Sequence, residues 1–425
     1  MKKTKIVATI GPASMTKVKL RKMVEAGMDI CRLNFSHSDH LWHKKVIKNI
    51  REVERDVGKK IGILADLQGP RIRVANEEEL SLKKGGKILV TDESGKRKSR
   101  RKNKLIFDWD GFWQYLRKGN KIFIEDGLIQ LEVVRLTSFG CLAEVKVAGV
   151  IKPHKAVNIP AISNRMNFLT DKDLADLEFA LKERVDMIAA SFVGGKKDLH
   201  QLRKLIDYFL EYRRPLGIKD ERQKRNYYPW VISKVERSLA IKNLRDIIAM
   251  SDGIMIARGD LAVEMPQEKV ALLELDILKK TRRAHKPVVV ATQMLASMEI
   301  NNRPTRAEIT DVTNAVVNHT DAVMLSGETA MGRYPVLTVQ TMSDIIQATE
   351  RSAYNDIKLR KTKLTIKLFG KRNKKRRQVK TAQSLEELLR YSSWRQENLR
   401  LKLSRRKKED WGKASLIWGV DVRGF

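Results

Sequence analysis

Two short apolar segments, each followed by charge, contain the residue types from which a phosphate or metal site can be built. They are Val231–Glu236 and Ser251–Asp260. Both are rich in β-branched residues, which favour buried strands. Lys234 and Glu236 are two residues apart, so strand alternation turns both side chains to the same side. Asp260 follows an Arg-Gly pair, whose glycine permits a close backbone turn.

One cation and two carboxylates at strand ends can serve two purposes. They suit an oxygen-liganded divalent metal ion that meets an anionic substrate. They equally suit a buried ion pair between neighbouring strands. These two segments alone do not decide between the two interpretations.

The length and composition restrict the class of protein. A chain of 425 residues can bury a large core and form two or three domains. No apolar segment approaches the ~20 residues needed to span a bilayer. The apolar run Ile6–Ile10 is short and is broken by Gly11-Pro12, so a secretion signal is not expected. Cys31 and Cys141 have no metal-binding spacing, which favours a reducing, cytoplasmic location.

The net charge of +34 is unevenly distributed. Residues 351–425 contain 23 Lys/Arg and 7 Asp/Glu, and a second basic run spans Lys96–Lys104. Such runs attract nucleic-acid phosphates and acidic surfaces, although most of them are solvated loops and tails. Neither run has interleaved aromatic residues or a nucleic-acid-binding motif, so specific nucleic-acid binding is not expected.

Strands and helices alternate along two parts of the chain. The predicted strands are Lys5–Ile10, Asp29–Asn34, Ile61–Asp66, Met187–Val193, Trp230–Lys234, Gly253–Ala257, Pro287–Thr292 and Ala322–Leu325. The predicted helices are Lys17–Glu25, His40–Val57, Asp171–Arg184, Lys197–Tyr212, Ala240–Met250, Lys269–His285, Arg306–Asn318 and Val336–Arg351. Eight such units favour an α/β fold of the closed parallel (β/α)8 TIM-barrel type over an open doubly wound sheet.

The alternation is interrupted by an insertion. Residues 70–160 show short alternating strands such as Lys121–Ile124 and Cys141–Val147, which predict a small all-β lid domain beyond the third barrel strand. The barrel is then formed by residues 1–69 and 161–351. Residues 352–425 form a short, basic, atypical C-terminal α/β segment, with a predicted helix at Ser384–Asn398 and an apolar end at Ala414–Val420. Residues 214–229 are predicted to be a surface insertion.

A series of ordered motifs resembles the pyruvate kinase family. They are Thr4–Ser14, Arg32–His37, Asp66–Pro70, Ile232–Glu236, Asp252–Glu264, Ala291–Leu295, Arg303–Glu308 and Leu325–Ala330. The resemblance covers residues 1 to about 350. It implies a (β/α)8 barrel with a β lid and a C-terminal α/β domain. It also implies transfer of a phosphoryl group from phosphoenolpyruvate to ADP, followed by protonation of enolpyruvate.

The resemblance also implies roles for individual residues around the phosphoryl group. Lys234 stabilises the transferring phosphoryl group and the enolate, and Arg32 and Arg73 bind phosphate through the planar arginine fork. Glu236 and Asp260 hold Mg²⁺ or Mn²⁺. The substrate carboxylate meets backbone N–H groups at Ala257, Arg258 and Gly259. Thr292 places a hydroxyl near the carbon that is protonated, although the residue also suits a capping or core role.

A second set of residues is implied for the nucleotide and for a monovalent cation. Asn34, His37, Arg73 and Lys155 match nucleotide-binding positions, and Asp126 is expected to approach when the lid closes. The monovalent-cation positions are Asn34, Ser36, Asp66 and Leu67. Relatives with Glu at the Arg71 position need K⁺, and those with Lys there supply the charge themselves. Arg71 is a fixed cation too, so K⁺-independent activity is expected.

The C-terminal segment departs from the family pattern. It is short for the family's C-terminal domain, either because that domain is eroded or because the reading frame was shifted in the source, and it lacks a Ser-Gly-Arg-Thr-like run. Control by a sugar bisphosphate is therefore not expected. The family's homotetramer is a weakened implication. Two other hypotheses remain open: a catalytically silent protein that binds phosphorylated metabolites, and a nucleic-acid binder that uses the basic tail.

Overall fold

The computed structural model of the chain describes residues 2–99, 103–125, 127–162, 165–212 and 227–355. The predicted helix Ser384–Asn398, the apolar end Ala414–Val420 and Asp126 lie outside the described residues, as does most of the predicted insertion 214–229. No helix in the described part of the chain is both long enough and apolar enough to cross a membrane.

The strands within these ranges fall into one barrel and one separate β module. They are β1 Lys5–Thr9, β2 Ile30–Asn34, β3 Gly62–Asp66, β4 Ile72–Arg73, β5 Leu80–Leu82, β6 Lys87–Asp92, β7 Lys104–Phe107, β8 Lys121–Ile124, β9 Ile129–Thr137, β10 Gly140–Val147, β11 Gly149–Ile151, β12 Ala156–Asn158, β13 Met187–Ala190, β14 Trp230–Val235, β15 Gly253–Ala257, β16 Val288–Ala291 and β17 Ala322–Leu325.

Eight parallel strands close into a barrel in the order β1-β17-β16-β15-β14-β13-β3-β2. This confirms the predicted TIM barrel. The strands are almost fully buried because the barrel interior covers one face and the helices cover the other. Val7, Leu64, Ile232, Met255 and Met324 belong to a small buried cluster that is separate from the larger cluster formed with the helices.

Most helices around the barrel begin and end close to the predicted positions, and Arg258–Glu264 and Gly327–Ala330 were not predicted. They are Lys17–Glu25, His40–Val57, Asp171–Lys182, Lys196–Tyr212, Ser238–Lys242, Leu244–Met250, Arg258–Glu264, Gln267–Arg283, Arg306–Val317, Gly327–Ala330 and Pro335–Arg351. Thr170 caps the helix Asp171–Lys182, and it forms a capping box with Asp173.

Two local predictions need correction, one of a helix and one of a turn. The single helix predicted over Ala240–Met250 is two helices separated at Asn243, whose side-chain amide donates to the Gly194 carbonyl at 2.7 Å. No glycine turn precedes Asp260. Gly259 instead lies in the first turn of the unpredicted helix Arg258–Glu264 and does not have a positive φ.

The inserted lid contains a seven-stranded sheet in the order β4-β12-β8-β9-β10-β6-β7 and a separate β11-β5 pair. It has its own buried cluster, which includes Val90, Phe107, Phe112 and Leu131. Part of the basic run Lys96–Lys104 is helical, since Glu93–Lys98 forms a short helix capped by Asp92.

The two ends of the barrel sequence are joined by hydrogen bonds. β1 pairs with β17 as well as with β2, in a register that places Lys5 beside Ala322. The Glu350 carboxylate, on the last described helix, accepts the backbone N–H groups of Lys3 at 2.8 Å and Thr4 at 2.7 Å. The last helix therefore holds the segment that leads into the first strand.

Candidate active site

The central group of the site is the ammonium of Lys234, near the carboxyl end of β14. Its Nζ lies 2.8 Å from Glu236 Oε1 and 3.2 Å from Asp66 Oδ1. Lys234 is 8% exposed, and the two carboxylate residues are at most 1% exposed. The prediction that Lys234 and Glu236 face the same side is confirmed. The alternative interpretation, a buried ion pair between strands, is also observed, but it joins Lys234 on β14 to Asp66 at the end of β3 rather than to the neighbouring strand β15.

The charges in this cluster shift one another's pKa values. Burial alone raises the pKa of Asp66, but the positive charges of Lys234 and Arg32 outweigh it and hold that pKa below its usual value. Burial lowers the pKa of Lys234, but Asp66 and Glu236 raise it further than burial lowers it. Lys234 is therefore a cation at neutral pH even though it is buried.

Two hydroxyl groups that sequence reasoning missed complete this cluster. Ser191 follows β13 directly. Its Oγ accepts from Lys234 Nζ at 2.8 Å and donates to the Leu67 carbonyl at 2.7 Å. Thr9, at the end of β1, accepts from Arg32 Nη1 at 2.9 Å, while Arg32 Nε donates to Asp66 at 2.6 Å. Both hydroxyls stand at carboxyl ends of barrel strands, and that position is the signal that identifies them.

Glu236 has one oxygen that lacks a hydrogen-bond donor. Oε2 accepts the backbone N–H of Phe192 at 2.7 Å. Oε1 is buried, and beyond its ion pair with Lys234 no described donor reaches it in hydrogen-bonding geometry. Burial and the nearby charge of Asp260 raise the pKa of Glu236. A buried carboxylate oxygen with unused acceptor capacity, close to a second carboxylate, fits a divalent-metal ligand. No cluster of three His, Cys, Asp or Glu side chains suited to a metal lies within the described ranges, so the other ligands would come from substrate or water.

Asp260 is paired with Arg71. Arg71 Nη2 donates to Asp260 Oδ1 at 2.7 Å, and its guanidinium carbon lies 5.4 Å from the centroid of the Phe192 ring. The guanidinium therefore contacts the second predicted metal ligand, across the junction between lid and barrel.

The four residues predicted for a monovalent cation lie at the ends of β2 and β3. Asn34 Oδ1 accepts the backbone N–H of Ser36 at 3.2 Å. Asp66 already accepts from arginine, lysine and serine side chains, and the Leu67 carbonyl accepts from Ser191. Protein donors thus contact three of the four residues.

The predicted carboxylate cradle lies at the start of the helix that follows β15. The N–H of Gly259 donates to Thr292 Oγ1 at 2.8 Å. The Arg258 side chain is held by the Thr292 carbonyl at 2.7 Å and by Asp311 at 2.7 Å. Arg258 therefore fixes the cradle and the Thr292 loop to each other.

Thr292 has an unusual backbone conformation. Its φ is +73°, which is rare for a β-branched residue, and Gln293 follows with φ +56°. Its hydroxyl donates to the Ala291 carbonyl at 2.6 Å and accepts from Gly259. Such backbone strain persists where the surroundings fix it, often at functional sites. Both open interpretations of Thr292 agree with these contacts.

The predicted nucleotide-binding residues come from both domains. Asn34 and His37 are on the barrel. Partial burial and the charges of Arg73 and Arg32 lower the pKa of His37. On the lid, Arg73 Nη1 donates to the His154 carbonyl at 3.1 Å, and Lys155 is paired with Glu125.

A cleft separates the lid from the barrel mouth. Ala156–Ile159 line it from the lid, and Phe192, Arg237, Asp260 and Val263 line it from the barrel. Arg71 also lines this cleft, whereas Lys234, Glu236, Asp66 and Arg32 lie outside its lining. The fixed positive charge of Lys234 and Arg32 at the barrel mouth suits a phosphorylated substrate.

Comparisons with known proteins agree with this geometry. A family model described as the barrel domain of pyruvate kinase matches residues 1–339. A pyruvate kinase of Bacillus licheniformis is 42% identical over 356 residues, which are 83% of this chain and 58% of that protein. One from Geobacillus stearothermophilus is 42% identical over 85% of this chain and 60% of its own length. One from Thermococcus litoralis is 40% identical over 82% of this chain and 70% of its own length. The chain thus spans about three fifths of the length of the first two relatives.

Proposed function

Because the chain belongs to the pyruvate kinase family, we propose that it transfers the phosphoryl group of phosphoenolpyruvate to ADP, giving pyruvate and ATP. One observation carries the proposal: the buried Lys234 ammonium is held between Glu236 and Asp66 at the barrel mouth, where the charge of Asp260 also acts on it. Phosphoryl transfer depends mainly on positioning and on positive charge around the phosphoryl oxygens.

Lys234 supplies that charge from a fixed position. Asp66, Glu236 and Ser191 all contact its ammonium, so little reorganisation is needed when negative charge develops on the phosphoryl and enolate oxygens. Arg32, held by Asp66 and Thr9, adds a second cation on the barrel. Arg73 contributes a third from the lid side. Each of the two arginines can bind phosphate through its planar fork.

Glu236 and Asp260 are the proposed ligands of Mg²⁺ or Mn²⁺. A bound dication supplies positive charge to substrate oxygens. The unused acceptor capacity of Glu236 Oε1 supports this assignment. Asp260 must share its carboxylate with Arg71 or release it when the metal ion binds.

The remaining residues orient the two substrates. The backbone N–H groups at Ala257, Arg258 and Gly259 form the proposed carboxylate site, where β15 leads into the helix Arg258–Glu264. The substrate would share the Gly259 N–H with Thr292 Oγ1, which already accepts from it. Thr292 keeps its hydroxyl beside Gly259, where it can help to protonate the enolpyruvate carbon.

ADP is proposed to lie between the two domains. Asn34 and His37 contact it from the barrel, and Arg73 and Lys155 contact it from the lid. Lys155 must leave Glu125 to reach a phosphate. Closure of the lid would exclude water from the transferring group.

We further propose that turnover does not require K⁺. Arg71 is a permanent cation in the cleft, and protein donors already contact Asp66 and the Leu67 carbonyl.

A cytoplasmic location is also proposed, in keeping with the unpaired, buried Cys31 and Cys141. Assembly as a homo-oligomer stays a prediction. No observation favours the silent-relative or nucleic-acid-binding alternatives.

The decisive experiment is a direct assay of pyruvate from phosphoenolpyruvate, ADP and Mg²⁺ with the full chain. Activity that needs all three components is expected. Phosphoenolpyruvate binding without any pyruvate formation would instead indicate a catalytically silent relative.

A further inference from the structure

Arg237, directly after the proposed metal ligand Glu236, is a buried cation whose guanidinium has no hydrogen-bonding partner among the described residues. It is 4% exposed. Its Nε and Nη2 are buried, and no acceptor among the described residues reaches either of them. A buried donor without a partner loses its hydration without compensation, and the cost is greater when the donor is charged.

Other largely buried arginines of this chain are treated differently. Arg32 pairs with Asp66 at 2.6 Å, Arg51 with Asp186 at 2.9 Å and Arg203 with Asp252 at 2.9 Å. No described carboxylate forms such an ion pair with Arg237. The fold therefore satisfies buried guanidinium groups elsewhere and leaves this one unsatisfied.

The two unsatisfied nitrogens form one edge of the guanidinium plane. An arginine presents Nε–H and one Nη–H in parallel along that edge, and this fork matches two oxygens of a phosphate or carboxylate group. The two nitrogens without partners are therefore the pair that binds an oxyanion in a bidentate interaction. A lysine or an asparagine could not provide it.

Arg237 lines the cleft between the lid and the barrel. The Arg237 guanidinium carbon lies 5.1 Å from the centroid of the Phe192 ring, and that of Arg71 lies 5.4 Å from the same centroid. Arg71 is paired with Asp260. The carboxylates of Glu236, Glu264 and Asp198 act on Arg237 through their charge, but none of them forms a described ion pair with it. The lid contributes one wall of the cleft and the barrel the other, so a change in their separation alters access to Arg237.

We propose that Arg237 is the centre of an accessory binding site for a small oxyanion, at the junction between lid and barrel. The ligand accepts hydrogen bonds from Nε and Nη2 of Arg237 and lies against the Phe192 ring. Arg237 lines the same cleft as Asp260, but it is not among the residues that contact the Lys234 ammonium. The proposal does not depend on whether the chain turns over phosphoenolpyruvate.

The first test locates the ion directly. Crystals of the wild-type full chain are soaked in selenate, a tetrahedral oxyanion with an anomalous signal. An anomalous peak within hydrogen-bonding distance of Arg237 Nε and Nη2 is expected. Peaks confined to Arg32, Arg73 or Lys234 would overturn the proposal, and this result requires no variant to fold.

The second test uses inorganic phosphate and thermal unfolding at constant ionic strength, with chloride as the reference anion. Phosphate is expected to raise the melting temperature of the wild type. The apparent phosphate affinity should fall at least tenfold in Arg237→Met and several-fold in Arg237→Lys, which keeps the charge but loses the fork. Arg165→Met, an exposed cation near the cleft, is the matched control and should respond like the wild type.

Without phosphate, the melting temperature of Arg237→Met should equal or exceed that of the wild type, because a buried charge without a partner has been removed. A merely structural arginine would give the opposite sign. Unchanged phosphate affinity in Arg237→Met, or a lower melting temperature without phosphate together with no phosphate response in the wild type, would refute the site.

Discussion

Arg71 Nη2 lies 2.7 Å from Asp260 Oδ1, so the segment that enters the lid is tied to a carboxylate beyond β15. This contact places a permanent positive charge beside one proposed metal ligand. It also gives the lid a direct electrostatic connection with the barrel mouth. We expect this charge to replace a K⁺ ion.

Wild-type turnover should be the same with and without K⁺ in a buffer free of Na⁺. Arg71→Glu removes the cation and adds an anion beside Asp260, so its activity should become dependent on K⁺. The steady-state rates of the wild type and of Arg71→Glu are measured over a range of K⁺ concentrations. Strong activation of the wild type by K⁺ would contradict the prediction.

Lys234→Met should lower kcat by about 10²–10³-fold, since a preorganised group that stabilises transition-state charge contributes about 3–4 kcal/mol. The change also leaves Asp66 and Glu236 buried without their cation, so unfolding must be measured in parallel. Rates are compared per folded molecule. Lys197→Met, an exposed lysine, is the control, and near-normal turnover of Lys234→Met would refute the proposed role.

Ser191→Ala tests whether the hydroxyl positions Lys234. Its loss removes the acceptor at 2.8 Å from Nζ and the donor to the Leu67 carbonyl, and a buried hydrogen bond to a charged group contributes about 1.5–3 kcal/mol. We expect kcat to fall about tenfold or more while KM for ADP changes little. Ser94→Ala, on the exposed side of the lid, should leave both unchanged. An equal effect of the two substitutions would show that Ser191 has no special role.

Protonation of His43 is expected to lower the free energy of unfolding of the protein in acid. Burial lowers its pKa from 6.5 to about 4, while its Nε2 contacts the His37 carbonyl at 3.0 Å. The native state therefore favours the neutral ring. The associated stability is present above pH 6.5 and is lost as the pH falls through about 4, by about 3 kcal/mol in total.

The measurement for His43 is the free energy of unfolding between pH 7 and pH 4, from urea titrations. His43→Phe should reduce the pH dependence, because the substituted ring does not titrate. His285→Asn, at an exposed histidine, should behave like the wild type. A wild-type profile that matches His43→Phe would show that His43 is not the group responsible.

The sequence predicted most of the barrel because its strands are apolar and its helices carry clear caps. The Lys234–Glu236 arrangement was predictable as well, since strand alternation alone brings the two side chains together. The contact between Lys234 and Asp66 was not, because it joins residues 168 positions apart across the closed barrel. It depends on strand order, which local patterns do not encode.

The unpredicted features share the same physical cause. The lid strands β4 and β12 are two and three residues long, so they show no periodicity. The pairing of Arg71 with Asp260 requires the position of the lid relative to the barrel. Likewise, Arg237 lies in a sequence that suggests an ordinary surface cation, and only the packing around it reveals missing partners.

The hydrogen bonds from Lys3 and Thr4 to Glu350 have a consequence for biosynthesis. The first strand emerges early from the ribosome, yet its partner β17 and its clamp on the last helix are made more than 300 residues later. Until then, one edge of β1 is exposed to other chains. Newly made polypeptide that stalls before residue 350 should therefore aggregate or require a chaperone, whereas chains released beyond that point can close the ring.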